Sequence, residues 1–337
     1  MTKTTFLLCF ITLLASSSAL PSVSKHHKVG FYELKKGHIS VNLTNWGATI
    51  VSLHLPDRHG KLDDVVLGYD SIDTYKLVED VKTSFSGGKV GFSDVAWKVK
   101  SYQNKGLAPH IVFTYHSRDG EQGFPGDVLV TATYTLFGHG KLAVIMTAKA
   151  LNKPTPVNLA QHTYWNLGGH TSGDILSNDI QIFGSQITPV DDELIPTGKI
   201  QSVKGTPFDF LKPHPVGTKI KELPKGYDIN YVLDGVPEGK ELKRVAVVYD
   251  KKSGRSMDLS TNKPGVQFYT GNNIKDIKGK GGFVYQSHAA LCLETQAFPD
   301  SVNHPNFPST IISPEEPYKH VMLFKFSTKD RPNFSSV

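Results

Sequence analysis

Two short stretches hold most of the chemistry in this chain. The first is Asn158-Leu159-Ala160-Gln161-His162-Thr163-Tyr164-Trp165-Asn166-Leu167-Gly168-Gly169. It sets an imidazole, carboxamides, a phenol and an indole side by side and ends on a glycine pair. An imidazole titrates near neutral pH, so it can give or take a proton under ordinary conditions. The second stretch is Leu291-Cys292-Leu293-Glu294-Thr295-Gln296. A carboxylate in an apolar strand is costly to bury, and desolvation there moves its pKa toward the range of a useful base. The two together predict His162 and Glu294 on opposite sides of one small polar ligand. For Glu294 the competing reading is a strand-end carboxylate already back in solvent, because the following residues Gln296, Asp300, Asn303 and His304 are polar. For His162 it is a packed imidazole satisfied by backbone groups.

Period-two alternation through the first stretch puts Gln161 and Thr163 on one side and His162 and Tyr164 on the other. Two further positions bear on ligand binding. Asp228 stands between aromatics in Tyr227-Asp228-Ile229-Asn230-Tyr231. A carboxylate accepts hydroxyl protons and a neighbouring ring offers a stacking face, which suits a sugar. An Asx turn before a strand explains the same residues equally well. Gln267, in Pro264-Gly265-Val266-Gln267-Phe268-Tyr269, is a carboxamide in an apolar strand and needs partners if it faces inward.

The elements that must carry these residues are short strands. Residues 29–34, 38–43, 49–55, 64–69, 95–99, 110–115, 128–136 and 142–150 read as strands in the first half. Gly, Pro, Asn and Asp clusters punctuate them, including the hairpin signal Gly138-His139-Gly140. Residues 71–76 allow one helical turn, and 77–91 carry no clean period. An apolar strand over residues 156–160 leads into His162. After the first stretch, strands are predicted at 180–183, 186–189, 231–233, 243–249, 256–260, 265–269, 289–294 and 321–326. Amphipathic helical runs are almost absent, so the fold class is all-β, a large antiparallel β-sandwich.

The 337 residues fit one large β domain, with no repeat or linker to divide it. The N-terminus is excluded from that domain. Lys3, the apolar run 6–14 and Ser17-Ser18-Ala19 have the layout of a secretory signal cleaved near residue 19. One domain is therefore expected over residues 20–337, exported and free of the membrane. Cleavage removes Cys9 and leaves Cys292 alone, which excludes an internal disulfide and reads as a buried, inert thiol. Sequons stand at Asn42-Leu43-Thr44 and Asn333-Phe334-Ser335, the first on a strand. The net charge of +6 comes from scattered Lys and Arg, which argues against a nucleic-acid partner. No His/Cys/Asp/Glu spacing matches a zinc or EF-hand site, and there is no P-loop, dinucleotide fingerprint or nucleophile elbow. No metal and no cofactor are expected.

Six motifs, in order along the chain, resemble the aldose 1-epimerase (galactose mutarotase) family: Asn45-Trp46-Gly47-Ala48-Thr49, Gly91-Phe92-Ser93-Asp94-Val95-Ala96-Trp97, Asp119-Gly120-Glu121-Gln122-Gly123-Phe124-Pro125-Gly126, residues 162–169, residues 264–270 and residues 293–299. The resemblance implies a galactose mutarotase-like supersandwich with an open sugar site. It implies His162 as general acid and Glu294 as general base. Asp228, Gln267, Thr163 and Tyr164 would hold the substrate, an aldohexose such as galactose or glucose. A monomer or weak dimer is expected.

The chain departs from the family pattern in one place. The family carries an Asn-Arg pair on a glycine-rich segment after the strand matching 65–69, and a His in a Leu-His-Gly-Gly loop. Here Tyr75-Lys76-Leu77-Val78 runs directly to Phe85-Ser86-Gly87-Gly88, with Ser86 at the His position. Arg is a rigid multi-donor fork and Ser cannot replace an imidazole as a long-reach donor. Two readings stand: an enzyme with a weakened hold on its sugar, or a catalytically impaired, secreted sugar-binding relative. A transcript lacking one exon would give the same junction. A relative acting on hexose 6-phosphates is a weaker third reading, since Arg is absent from the matching motifs.

Overall fold

A computed structural model describes residues 28–77, 87–235, 241–328 and 334. The signal-like segment 1–19, Ser86 and the acceptor Asn333 lie outside the described residues. The described chain is all-β and antiparallel, arranged in three main sheets. The first takes Phe31–Lys36, Ile39–Thr44, Thr49–Pro56 and Leu62–Asp64 in sequence order.

The second sheet has nine strands. Its spatial order is His214–Pro215, Asp179–Ile182, Lys243–Tyr249, Ser256–Thr261, Tyr318–Ser327, Lys141–Ala150, Val128–Phe137, His110–Ser117 and Lys98–Gln103. The third is ordered Gln201–Ser202, Gln186–Thr188, Asp228–Val232, Gly265–Tyr269 and Cys292–Gln296.

Alternation drives the packing. In Val128–Phe137 every second side chain, from Val128 to Leu136, is buried while the others reach toward solvent. The buried faces of all three sheets meet in one core that joins Leu53, Phe113, Val144, Phe324, Ile229, Phe268 and Leu293. A core shared this way fixes the small sheet against the large one.

Two elements differ from the sequence reading. The strand expected over 64–69 leaves its sheet at Asp64, because a new neighbour takes over. Val66 and Leu291 both bridge Trp165, and Leu67 N–H donates to Tyr164 O at 3.0 Å. Buried Asp64 secures that exit: its Oδ1 accepts from Leu53 N and Val66 N, and Lys280 Nζ reaches its Oδ2, Val51 O and Val66 O. The strand expected ahead of His162 pairs only at Thr155–Pro156 and then runs outside any ladder. Side chains hold it instead. Asn158 grips Ala297 through both its amide atoms at 3.0 Å, and Tyr318 Oη bonds to Leu159 N and O. The helical turn is present at Ile72–Leu77, with Ser71 Oγ accepting from Thr74 N at 3.2 Å.

The Asn42 sequon lies on the strand Ile39–Thr44. Asn42 Nδ2, the atom a glycan would modify, donates to Ser52 Oγ at 2.8 Å, and Thr44 is fully buried.

Candidate active site

The small sheet has one apolar face and one polar face, and strand register decides which residues share them. Gln267 is the Cα partner of both Asn230 and Glu294, while Tyr269 pairs with Asp228 and Cys292. Directly opposed residues project to the same side. Asp228, Asn230, Gln267, Tyr269, Cys292 and Glu294 therefore share one face. Ile229, Tyr231, Val266, Phe268 and Leu293 point the other way into the core.

The segment carrying His162 crosses this polar face. Trp165 fixes its height: N and O of Trp165 bond to Leu291 O and N at 2.8 and 2.9 Å, and its ring packs against Phe324 and Phe326 in the core. Asn166 locks the turn that follows. Its amide donates to Gly173 O and Ala289 O, and its carbonyl accepts from Gly168 N and Ser172 Oγ. Gly169 has φ +111°, and a Cβ there would collide with the Asp63 carboxylate, so only glycine closes the turn.

His162 Nε2 comes to 3.4 Å from Glu294 Oε1. The Glu294 side chain sits mid-strand and is only 11% exposed, whereas that of His162 is 43% exposed. The solvent-returned reading of Glu294 is thereby excluded. His162 leans on Tyr164, with ring centroids 5.0 Å apart, and meets the edge of Tyr269 at 6.2 Å. These rings limit the imidazole to approach from the open side. Behind them, Gln267 Nε2 donates to Asp228 Oδ1 at 2.7 Å. Asn230 Nδ2 reaches Thr188 Oγ1, while Asn230 Oδ1 and Gln267 Oε1 are buried without a partner among the described residues. Buried, unsatisfied acceptors are expensive.

The electrostatics suit proton transfer. Burial pushes the Glu294 carboxyl above its ordinary value, the Asp228 charge adds to the rise, and His162 partly opposes it. Burial also raises Asp228, against the opposing effects of its Gln267 hydrogen bond and His162. A carboxylate displaced this way is a stronger base than an ordinary one. The phenols of Tyr164 and Tyr269 are pushed up by burial and remain neutral walls.

The structure therefore brings His162, Glu294, Tyr164, Asp228 and Gln267 together. Thr163 lies apart: it is 5% exposed, on the opposite side of its segment, with its N–H and hydroxyl both donated to Gln161 Oε1. The alternation read from sequence holds, and it sends Thr163 to the wrong side for a ligand contact.

The aromatic neighbours expected for Asp228 are also corrected. Tyr227 and Tyr231 are fully buried, with their hydroxyls donated to Pro207 O and Phe208 O, so neither offers a stacking face. Asp228 opens a strand and bonds across it to Gln267. Tyr269, Asn230 and Cys292 escaped the sequence reading. Each stands two residues from a singled-out position (Gln267, Asp228 and Glu294), so period two would have found them. Cys292 is buried as expected, but it is not remote. With His162 and Glu294 it forms a group of possible metal-ligating atoms within 4.8 Å of one another. Linear spacing rules cannot detect a cluster assembled from two separate elements.

Comparison with known proteins identifies the family. A profile of the aldose 1-epimerase family matches residues 30–91 and 79–325. Galactose mutarotase of Mus musculus is 39% identical over 329 residues, covering 88% of this chain and 93% of that protein. The Homo sapiens galactose mutarotase is 37% identical over the same shares. Among solved structures, an aldose epimerase homologue from C. elegans superimposes with a TM-score of 0.81 at 25% identity, covering 90% of this chain and all of that one. The chain belongs to the aldose 1-epimerase family.

Proposed function

We propose that this protein interconverts the α and β anomers of a free aldohexose, galactose or glucose, with Glu294 as general base and His162 as general acid. The observation that carries this reading is the 3.4 Å approach of a half-exposed imidazole to a buried carboxylate. The C1 hydroxyl and the ring oxygen of a pyranose are bonded to the same carbon, so an acid and a base serving them must be close neighbours. Glu294 removes the proton from the C1 hydroxyl while His162 protonates the ring oxygen. The C1–ring oxygen bond breaks and the free aldehyde forms. Rotation about C1–C2 presents the other carbonyl face, and reclosure with the proton transfers reversed gives the other anomer. Asp228 and Gln267, joined by their own hydrogen bond, hold the sugar hydroxyls. Each positioned acid or base contributes about 10²–10⁴-fold in rate. The names borne by the mouse and human relatives favour galactose.

A second reading, a sugar-binding relative with impaired catalysis, is favoured by one observation. The family match divides into two pieces that overlap over residues 79–91, next to the point where the Asn-Arg segment is absent from the sequence. The mouse alignment spans 329 positions but 88% of 337 residues, about 297, so about 32 positions have no counterpart here. Losing an Arg fork weakens the hold on the sugar and leaves the acid–base pair in place.

Polarimetry of freshly dissolved α-galactose separates the readings. The enzyme gives mutarotation faster than buffer, with a raised KM. The impaired relative gives no acceleration but measurable heat on calorimetric titration with sugar. Neither acceleration nor heat with any hexose would contradict both. Export of a chain cleaved near residue 19 is part of the proposal, and N-terminal sequencing of the protein recovered from medium tests it.

A further inference from the structure

We propose that His162, Cys292 and Glu294 form a binding site for a thiophilic divalent cation, zinc(II) above all, and that the bound ion switches off the acid–base pair. The inhibitory half rests on the reading of His162 and Glu294 as acid and base, while the binding half stands without it.

The three candidate ligand atoms lie within 4.8 Å of one another, and the nitrogen–oxygen edge is already 3.4 Å. Tetrahedral zinc, with bonds of about 2.0–2.3 Å, places its ligand atoms roughly 3.4–3.6 Å apart. One edge of that tetrahedron is therefore formed, and the others need a closure of little more than about 1 Å. The His162 side chain is 43% exposed, so a small rotation of its ring can bring its nitrogen closer to the sulfur. The other two ligands share one strand, and rotation of the Glu294 carboxyl about its own side-chain bonds brings its oxygen toward the sulfur. Cys292 and Glu294 are two residues apart on Cys292–Gln296, so both project to the polar face.

The donor set selects the ion. Thiolate plus imidazole favours zinc and other borderline or soft cations, and disfavours calcium and magnesium, which take oxygen ligands. Binding exchanges the Cys292 thiol proton for a metal–sulfur bond, with the proton released to solvent. A dication with one thiolate and one carboxylate is then neutral overall, which removes the cost of holding net charge in a buried pocket. Three protein ligands leave the fourth position of a tetrahedral ion to water. The imidazole nitrogen and the carboxylate oxygen are the atoms that move protons, so an occupied site cannot carry out the reaction.

Titration of the full chain with cobalt(II) reads the site directly. A thiolate-to-cobalt charge-transfer band should grow to one equivalent and be absent in Cys292→Ala. Zinc should displace the cobalt, and His162→Ala, at an exposed position, should bind either ion at least about ten-fold more weakly, as loss of a ligand requires. Zinc should inhibit mutarotation in competition with sugar, with at least about ten-fold lower potency against Cys292→Ala. Absence of the sulfur band in the unmodified chain, or unchanged affinity in His162→Ala, overturns the site. Equal zinc inhibition of both proteins overturns the switch. If Cys292→Ala fails to fold, the band in the unmodified chain and the His162→Ala affinity still decide. A chain that shows the band but no mutarotation refutes the proposed function and keeps the metal site. An active chain without the band does the reverse.

Discussion

Replacing Glu294 by Gln should abolish activity and yet stabilise the folded protein at neutral pH. The Glu294 side chain is only 11% exposed, and burial is the largest cause of its raised pKa. A group whose folded pKa exceeds its unfolded value binds more protons when folded. Stability therefore falls as pH rises from the ordinary carboxylate range to the raised value, and the loss persists above it. Each unit of elevation costs about 1.4 kcal/mol at pH above both values. Gln has nearly the same shape, cannot ionise and escapes that cost. His162 offsets part of it in the native protein, but its side chain is 43% exposed and so screened by solvent.

The difference between Glu294→Gln and the native protein should be small near pH 4 and favour the variant increasingly toward pH 7. Chemical denaturation at a series of pH values measures it, and polarimetry in the same buffers should show a loss of about 10²–10⁴-fold. A variant less stable than native at pH 7, by the same margin as at pH 4, would refute the claim that Glu294 is held ionised at a cost. Retained activity would refute its role as base.

Three other outcomes follow from the same geometry. The acid limb of kcat/KM should lie above the ordinary carboxyl value of 4.5, since the base must be ionised; in Asp228→Asn it should move to lower pH because a charge that raises Glu294 is gone. An unmoved limb in that variant contradicts the coupling. Trp165→Ala removes a 1% exposed indole that sets the height of the His162 segment, and should cost about 3–5 kcal/mol by denaturant titration; a loss below about 1 kcal/mol means the segment is held elsewhere. Lys280→Met leaves Asp64 buried beside Val51 O and Val66 O, and should cost about 3–5 kcal/mol while leaving the pH limb unchanged in whatever fraction folds.

Where period two was strong, the sequence was a good guide. The strands at 110–115, 128–136 and 142–150 are present because their apolar positions alternate without interruption. The approach to His162 was harder to read, because Asn158 and Tyr318 hold it through bonds to residues 139 and 159 positions away. No local pattern encodes such partners. The exit of the chain at Asp64 has the same cause: Trp165 and Lys280, both distant in sequence, take over the pairing. Within the site, Glu294 and Gln267 are legible as polar residues in apolar strands, His162 through the density of polar and aromatic groups around it, and Asp228 through its place between two tyrosines. Thr163 enters as a sugar contact only through the family resemblance, and its alternation places it on the other side of the segment from His162. The aromatic walls were assigned to Tyr227 and Tyr231, next to Asp228 in sequence. They are in fact Tyr164 and Tyr269, since in a sheet the neighbours that matter lie across strands.

The central claim is that His162 and Glu294 together open and close a pyranose ring. Magnetisation exchange between the α and β anomeric protons of galactose at equilibrium measures that event without a fresh anomer. Exchange should run well above the buffer rate with the native protein and return to the buffer rate with the His162→Asn, Glu294→Gln double variant. Exchange at the buffer rate with the native protein, or acceleration that survives in the double variant, would contradict it.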